Sequence, residues 1–373
     1  MPAPGSLRVA LLSPCFWPEV RRGGERFVAE LAGGLRRHGH RPRLITSHRR
    51  PLPRRGNEQD LPILRLPRPP HGPVLGRLLE PYVTHVPLSY LALCSGDYDL
   101  AHAVYPADAL AAARWSRRSG RPSVLSYLGI PTGPWLRERR RGRVLGVALR
   151  GCDAVVALSA HAAEVFAREL GYEAPVIHPG VDLDTFRPAP ARAATPTIVC
   201  AAAAEEPRKH VELLVGALAL IRRELPDARL VLSRPRNGGG ALPFAGGPGV
   251  IWRDLDDPAA LALAYGEAWV SALPAPDEAF GLVLAEAMAC GTPGVGYDGG
   301  GVPEVIDRSG VGVLFDRLHP QVLARALLEA IELTHDPLTA SRCRRRAQEL
   351  SSERCTDAYL ELYGSLERAS AAA

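Results

Sequence analysis

The sequence is nearly devoid of lysine, because Lys209 is the single lysine among 45 basic Lys and Arg residues. Methionine is also rare, with two residues, whereas Ala, Gly, Pro and Arg are abundant. This usage is typical of a GC-rich genome, so a cluster of arginines indicates little by itself. The position of the single lysine is the more informative observation.

No run of about 18 uncharged apolar residues is present, so the sequence predicts no membrane-spanning helix. The N-terminal residues lack the basic segment of a signal peptide and indicate a first β-strand instead. The seven cysteines form no CxxC pair, which favours free thiols in a reducing compartment. We therefore expect a cytoplasmic protein with at most peripheral contact with a membrane.

Common nucleotide, hydrolase and metal motifs are missing as well. There is no Walker A, GxSxG or paired Cys/His pattern, and the eleven histidines lack ligand spacing on a helix. Asp254 and Asp256 precede a predicted helix, which favours an N-cap over a metal site. Aromatic residues make up only 6%, too few for a nucleic-acid platform. We therefore expect no metal, no cofactor and no nucleic-acid partner.

Strand-length apolar runs alternate with helical patterns along the chain. Strands are predicted over 7–14, 41–48, 98–105, 122–129, 152–159, 197–204, 228–233, 249–252 and 267–274. Continuous apolar strands that alternate with helices are typical of parallel, doubly wound sheets. The pattern breaks once, at the Pro-rich segment 186–197, which indicates an interdomain linker.

This organisation predicts an α/β chain of two domains. We expect a Rossmann-like domain over 1–187, a linker over 188–196, a second Rossmann-like domain over 197–350, and a C-terminal helix over 351–373 that could return to the first domain. Two such domains leave a cleft between their sheets. Ligands bind at the carboxyl edge of open α/β sheets, so this cleft is the expected site.

The stretch PDEAFGLVLAEAMACGTP, residues 276–293, places two glutamates around the start of a predicted helix. Glu278 precedes the loop-to-helix junction, and Glu286 lies two turns along the helix. Because the N–H groups of a helix N-terminus attract anions, one carboxylate could bind sugar hydroxyls and the other a ribose diol, with phosphates between them. From these residues alone, a capped surface helix is the open alternative.

The ordered set of motifs resembles the signature of glycosyltransferase family 4, retaining nucleotide-sugar enzymes of GT-B fold. The resemblance covers most of the chain and rests, besides 276–293, on GGVPEV (300–305), PEVRRGGERFVAELAGGLRRHGH (18–40), DLAHAVYPADAL (99–110), HPGVDLDTF (178–186) and DAYLELYGSL (357–366). It implies two Rossmann-like domains that face each other across a cleft. It also implies metal-independent transfer of a sugar from a nucleotide-diphosphate donor to an acceptor.

The resemblance assigns donor-binding roles in the second domain. It implies that Glu278 contacts the donor sugar and that Glu286 contacts the ribose of the nucleotide. The main chain of Phe280, Gly281 and Leu282 would approach the sugar and the diphosphate.

In the first domain, the resemblance implies that Gly23 and Gly24 let the backbone approach the phosphates or the acceptor. A plain strand-to-helix turn would explain the two glycines equally well. The family often has a histidine near the reacting sugar, where this chain has Tyr127, Leu128 and Gly129. Tyr127 and Gly129 are therefore candidates for the acceptor side.

Lys209 matches the lysine that binds the donor diphosphate in the family, and it is the predicted catalytic cation together with Glu278. The family also has a Gly-Arg pair at the end of the preceding strand, where this chain has Ala202 and Ala203. One phosphate-binding cation is therefore missing, and the adjacent Arg208 is a possible substitute. A chance surface lysine is the alternative interpretation of Lys209.

Two other functions are compatible with the sequence. A catalytically inert homologue that binds a nucleotide sugar or a partner enzyme is favoured by Ala203 and Leu128. Another GT-B chemistry, such as a sugar phosphorylase or an epimerase, is disfavoured by the intact EAFGLVLAEAMACGTP motif. The donor base, the sugar and the acceptor, whether a small molecule, a glycan or a lipid-linked group, are not indicated.

Three further segments have less specific patterns. The Pro/Arg-rich segment 48–73 predicts a mobile loop near the acceptor side. The basic segment 135–151 could dock on an anionic membrane or bind a phosphorylated acceptor, with a solvated helix face as the alternative. The segment 233–244 is expected to face the nucleotide base.

Overall fold

The computed structural model describes residues 5–20, 22–58, 60–68, 82–137, 141–235 and 246–372. The chain forms two compact units. The first comprises Met1–His178 and Ser352–Ala373, and the second comprises Pro179–Ser351. No helix within the described residues combines the length and the apolar character needed to cross a membrane.

The first unit is built on a seven-stranded sheet in the order β3-β4-β2-β1-β5-β6-β7. Its strands are β1 (Arg8–Leu12), β2 (Arg41–His48), β3 (Arg54–Glu58), β4 (Leu61–Pro67), β5 (Leu100–Ala103), β6 (Ser123–Tyr127) and β7 (Ala154–Ala157). Its α-helices in the described residues are Gly23–Arg37, Val86–Ser95, Pro106–Ser119, Gly133–Arg137, Arg141–Gly151, Ala160–Leu170 and Ser352–Ala372. All strand pairs are parallel except β3 with β4.

The edge of this sheet corrects one prediction. The segment 48–73 is not simply a mobile loop, because it contains β3 and β4. Leu61 and Ile63 of β4 are buried, so the alternation of apolar side chains outweighs the neighbouring Pro62. Residues 69–73 lie outside the described part of the chain.

The second unit is built on a six-stranded parallel sheet in the order β10-β9-β8-β11-β12-β13. Its strands are β8 (Thr197–Cys200), β9 (Arg229–Ser233), β10 (Val250–Arg253), β11 (Val270–Leu273), β12 (Gly294–Tyr297) and β13 (Gly312–Phe315). Its α-helices in the described residues are Glu212–Ile221, Pro258–Glu267, Leu282–Ala289, Pro320–Leu333 and Thr339–Glu349. Short 3-10 helices cover Pro207–Lys209 and Val302–Glu304.

The second unit begins at Pro179, whereas the sequence places the end of the first domain at 187. The intervening residues pack on the second unit. Phe186 is buried against Tyr265, with 6.2 Å between ring centroids. The guanidinium of Arg344 donates hydrogen bonds to the carbonyl oxygens of Phe186 and Leu183. These contacts explain why residues 179–187 belong to the second unit.

The C-terminal helix Ser352–Ala372 belongs to the first unit, where it packs against the helix Gly23–Arg37. Buried hydrogen bonds attach it to the sheet. His102 contacts the Tyr363 hydroxyl at 2.6 Å, and Ser126 contacts the Tyr359 hydroxyl at 2.7 Å. Burial lowers the pKa of His102 to about 3, so the imidazole stays neutral at physiological pH.

Candidate functional site

Lys209 ends the 3-10 helix Pro207–Lys209, which follows β8 at the carboxyl edge of the second sheet. Its side chain is only 13% exposed, and its Nζ pairs with the carboxylate of Glu278. His210, with a left-handed φ of 50°, follows directly and ends the 3-10 helix. The single lysine of the chain therefore lies at the sheet edge, not in open solvent.

Glu278 comes from the connection between β11 and the helix Leu282–Ala289. Because β11 pairs directly with β8, the connections that follow these two strands leave the sheet side by side. This strand order brings together Lys209 and Glu278, which are 69 positions apart in the sequence. The carboxylate is 19% exposed, so a ligand could reach it.

Two glycines, Gly300 and Gly301, pack against the main chain of the Glu278 loop. Gly301 N–H donates to the Glu278 carbonyl at 2.8 Å. A Cβ at Gly301 would lie 2.3 Å from the carbonyl oxygen of Ala279 and 2.8 Å from the Cα of Phe280. Gly300 has a φ of 58°, and its Cβ would lie 2.3 Å from the Glu278 carbonyl oxygen. Because these obstacles are backbone atoms, any side chain here would displace the loop.

The substitution Gly301→Ala is therefore expected to destabilise the chain by about 1–3 kcal/mol through overpacking. It should also weaken binding of donor nucleotide, because the Glu278 loop must move. Denaturant unfolding and calorimetry measure the two effects. Gly246→Ala is the matched control, since a Cβ there meets no atom within 4 Å. Equal unfolding midpoints for the two variants would contradict the proposed close approach.

The helix Leu282–Ala289 begins directly after the Glu278 loop. Its N-cap Gly281 has a φ of 102°, a conformation that favours glycine. Phe280 is buried, and Leu282 is half-buried. The first N–H groups of an α-helix have no partner within the helix itself and attract anions. The main chain predicted to approach the diphosphate is thus continuous with the loop that positions Glu278.

Glu286 occupies a different environment from Glu278. Its side chain is fully buried, and its Oε2 accepts a hydrogen bond from the Tyr265 hydroxyl at 3.2 Å. Burial, with a smaller contribution from the Glu286 charge, raises the pKa of the Cys290 thiol to about 12. A ribose could reach this carboxylate only if neighbouring side chains move, so its role stays a prediction. The Tyr265 contact left no signal in the sequence, because the two residues come from different helices.

The other candidates near Lys209 do not repeat its contact with Glu278. Arg208 is 59% exposed in its side chain and pairs with Glu206 at 2.6 Å. Ala202 is buried, and the carbonyl of Ala203 accepts a hydrogen bond from the Glu206 N–H at 3.1 Å. Among the described residues, Lys209 is the cation that the structure pairs with Glu278.

The candidates of the first unit form their own group. Gly23 and Gly24 open the helix Gly23–Arg37, and a Cβ at Gly24 would lie 3.1 Å from Leu128. Tyr127 is buried at the end of β6, where its ring packs edge-on against Trp135 and Phe166. Gly129 lies against the same ring, because a Cβ there would be 3.4 Å from Tyr127. These contacts explain Tyr127 as a packing residue, and its acceptor role stays a prediction.

The Asp-x-Asp pair has a local explanation. Asp254 accepts a hydrogen bond from the Asp256 N–H at 3.0 Å. The helix cap is the next residue, Asp257, which accepts from the Ala260 N–H at 3.0 Å. Within the described residues, no group of three or more His, Cys, Asp or Glu side chains could hold a metal ion.

Two family models match the chain, Glycosyltransferase Family 4 over residues 21–185 and Glycosyl transferases group 1 over residues 195–332. The chain belongs to glycosyltransferase family 4. The first match includes Gly23, Gly24 and Tyr127. The second includes Lys209 and Glu278.

Curated relatives of this family 4 chain include two D-inositol 3-phosphate glycosyltransferases. The protein of Kineococcus radiotolerans is 35% identical over 223 residues, which cover 50% of this chain and 51% of that protein. The protein of Mycolicibacterium gilvum is 37% identical over 209 residues, which cover 51% of this chain and 46% of that protein. The chain therefore spans about half the length of these relatives.

Solved structures similar to this family 4 chain have the GT-B fold of two parallel-sheet α/β domains. Sucrose-phosphate synthase from Thermosynechococcus elongatus has a TM-score of 0.80 and 23% identity, over 97% of this chain and 100% of that chain. Anabaena HepE in complex with UDP-glucose has a TM-score of 0.74 and 20% identity, over 96% and 100%. The predicted fold class is thus confirmed.

Proposed function

We propose that this family 4 chain is a retaining glycosyltransferase that moves a sugar from a nucleotide-diphosphate donor to an acceptor hydroxyl. The observation that supports this most is the pairing of Lys209 with Glu278 before the helix Leu282–Ala289. The pair combines an ammonium suited to phosphate with a carboxylate suited to sugar hydroxyls. The glycosyltransferase names of the curated relatives favour the same assignment.

In the proposed reaction, the bond between C1 of the sugar and the phosphate oxygen breaks, and its electron pair stays on the phosphate. Lys209 Nζ and the N–H groups at the start of the helix Leu282–Ala289 stabilise the charge that develops there. The acceptor hydroxyl attacks C1 on the face that the phosphate leaves, and its proton passes to the departing phosphate oxygen. The configuration at C1 is therefore retained. We propose that this stabilisation needs no metal ion or other cofactor.

The ion pair suggests how the donor enters the site. Before binding, the carboxylate of Glu278 neutralises the ammonium of Lys209, and both side chains are largely shielded from water. An unpaired charge in a site shielded from water has an unfavourable free energy. The diphosphate would replace Glu278 as the partner of Lys209, and the released carboxylate would accept hydrogen bonds from the sugar. Donor binding thus exchanges one set of charge contacts for another.

Glu286 provides a test of the nucleotide position. If it binds the ribose diol, Glu286→Ala should weaken binding of the free nucleotide and the nucleotide sugar alike, by about 1–3 kcal/mol. Tyr265→Phe is the companion variant, since it removes the hydroxyl that Glu286 now contacts without removing the carboxylate. Calorimetry that shows unchanged affinity of both ligands for Glu286→Ala would exclude the ribose assignment.

A catalytically inert homologue is the second candidate function. Ala203, in place of the cation that the family resemblance implies, is the observation that favours it. Such a protein would bind a nucleotide sugar, or a partner enzyme, without cleaving the donor.

A donor panel separates the two functions. Binding and release of nucleoside diphosphate would be measured with UDP-, GDP-, ADP- and dTDP-sugars, with UDP-glucose first because HepE was crystallised with it. An inositol phosphate is the first acceptor to add, given the name of the curated relatives. Release that rises with acceptor supports the transferase. Binding without release supports the inert homologue. The cytoplasmic location stays a prediction.

A further inference from the structure

Three helices of the first unit lie side by side on one face. The helix Pro106–Ser119 packs against Val86–Ser95 and also against Arg141–Gly151. We call the solvent-exposed side of these helices the three-helix face. The proposed transferase chemistry assigns no role to it.

The three-helix face has a one-sided charge. Five of its arginines are exposed: Arg114, Arg117, Arg118, Arg143 and Arg150. The one acidic residue in these three described helices is Asp108, which is fully buried and pairs with His85 at 2.8 Å. Because arginine is abundant everywhere in this chain, the number of arginines decides nothing. The lack of exposed acidic side chains is informative, because the whole chain has nearly as many acidic residues, 40, as basic ones, 45.

The acidic residues that follow two of these helices are already engaged. Asp97, after Val86–Ser95, pairs with Arg8 and with Arg121. Asp153, after Arg141–Gly151, accepts hydrogen bonds from the N–H and the hydroxyl of Ser123. Because both carboxylates already have partners, they do not fully neutralise the charge of the exposed arginines. The positive potential of the face is therefore retained.

Large apolar side chains are exposed on the same face. Leu91 is 59% exposed and Val147 is 44% exposed. Pro87 and Cys94 are also exposed, and the helix Val86–Ser95 contains no charged residue at all. A purely solvated face would have polar residues at these positions. Apolar side chains among arginines are instead typical of surfaces that enter the headgroup region of an anionic bilayer.

We propose that the three-helix face docks on a membrane surface that contains anionic phospholipid. The exposed arginines bind headgroup phosphates, and Leu91 and Val147 enter the boundary between headgroups and acyl chains. A nucleic acid or an acidic protein matches the charge but gives the apolar side chains no role. This docking goes beyond the proposed transferase function, because Lys209 and Glu278 belong to the other unit.

Vesicle flotation with the full chain tests the proposal. We expect binding to phosphatidylcholine vesicles that contain about one third phosphatidylglycerol, loss of binding at high salt, and no binding to pure phosphatidylcholine. Each arginine at the surface contributes about fivefold, so Arg143→Gln with Arg150→Gln should lower the partition coefficient about 25-fold. Val147→Asn should lower it severalfold.

The matched control is Arg325→Gln with Arg345→Gln, which removes two exposed arginines from helices of the second unit. An unchanged partition coefficient for this control supports the assignment to the three-helix face. The proposal is overturned if the wild type does not float with anionic vesicles, or if the control loses as much binding. It is also overturned if the chain binds duplex DNA as tightly as it binds the vesicles and Val147→Asn changes neither affinity. None of these outcomes depends on whether the chain cleaves a donor.

Discussion

Replacing Lys209 with alanine is expected to lower donor turnover by about 10²–10³, the cost of removing one preorganised donor to a developing oxyanion. The ammonium pairs with Glu278, and Ala203 provides no second cation. Because charge on the departing phosphate grows in the transition state, kcat should fall more than the affinity for free nucleotide. Steady-state kinetics and calorimetry on the same variant measure the two quantities.

Matched variants show whether the position or only the charge matters. Lys209→Arg should restore activity only in part, since a planar guanidinium does not fit a point-charge position. Ala203→Arg should partly offset Lys209→Ala if both side chains reach the same phosphates. Arg208→Ala is the control, because Arg208 pairs with Glu206 instead. Full activity of Lys209→Ala would mean that the lone lysine has no catalytic role and would make Arg208 the better candidate.

Glu278→Gln is expected to lower transfer by about 10- to 100-fold, the loss of charge-assisted hydrogen bonds to the sugar. Binding of free nucleoside diphosphate should not weaken. The ion pair gives the reason, because an uncharged glutamine side chain at this position would leave the ammonium of Lys209 fully available to the diphosphate. Transfer rates and calorimetry with the free nucleotide separate the two effects.

A double-mutant cycle tests whether the pair acts as a unit. If donor binding replaces Glu278 as the partner of Lys209, the effects of Glu278→Gln and Lys209→Ala should not be additive. Wild-type turnover of Glu278→Gln would refute the sugar assignment. Weaker nucleotide binding in that variant would argue that Glu278 positions Lys209 for the diphosphate.

Strands β1, β2 and β5 to β11 could be predicted, because buried parallel strands are continuous apolar runs, whereas β3, β4, β12 and β13 were not predicted. The apolar run predicted over 197–204 contains β8, and the one over 267–274 contains β11. Lys209 and Glu278 could be selected from their motifs, since each follows such a strand. The order of the strands within a sheet could not be predicted from the sequence. The contact between the two side chains depends on β8 pairing with β11 and was therefore not predicted.

Several other features depend on long-range packing and gave little local signal. The only sign in the sequence of the close approach of Gly300 and Gly301 to the Glu278 loop is a run of glycines. The C-terminal helix had a clear helical pattern, but its attachment through Tyr359 and Tyr363 depends on partners in distant strands. The burial of Glu286 could not be predicted either, because amphipathic spacing does not show which neighbour covers a carboxylate.

The anomeric configuration of the product distinguishes a retaining transferase from the alternatives. Proton NMR would be recorded during the reaction of the wild type with an α-linked sugar donor from the panel and its acceptor. We expect an α-linked product formed as nucleoside diphosphate is released, and no such product within the same time from Lys209→Ala. A β-linked product would contradict retention, and a bound donor that yields no product would contradict the transferase assignment altogether.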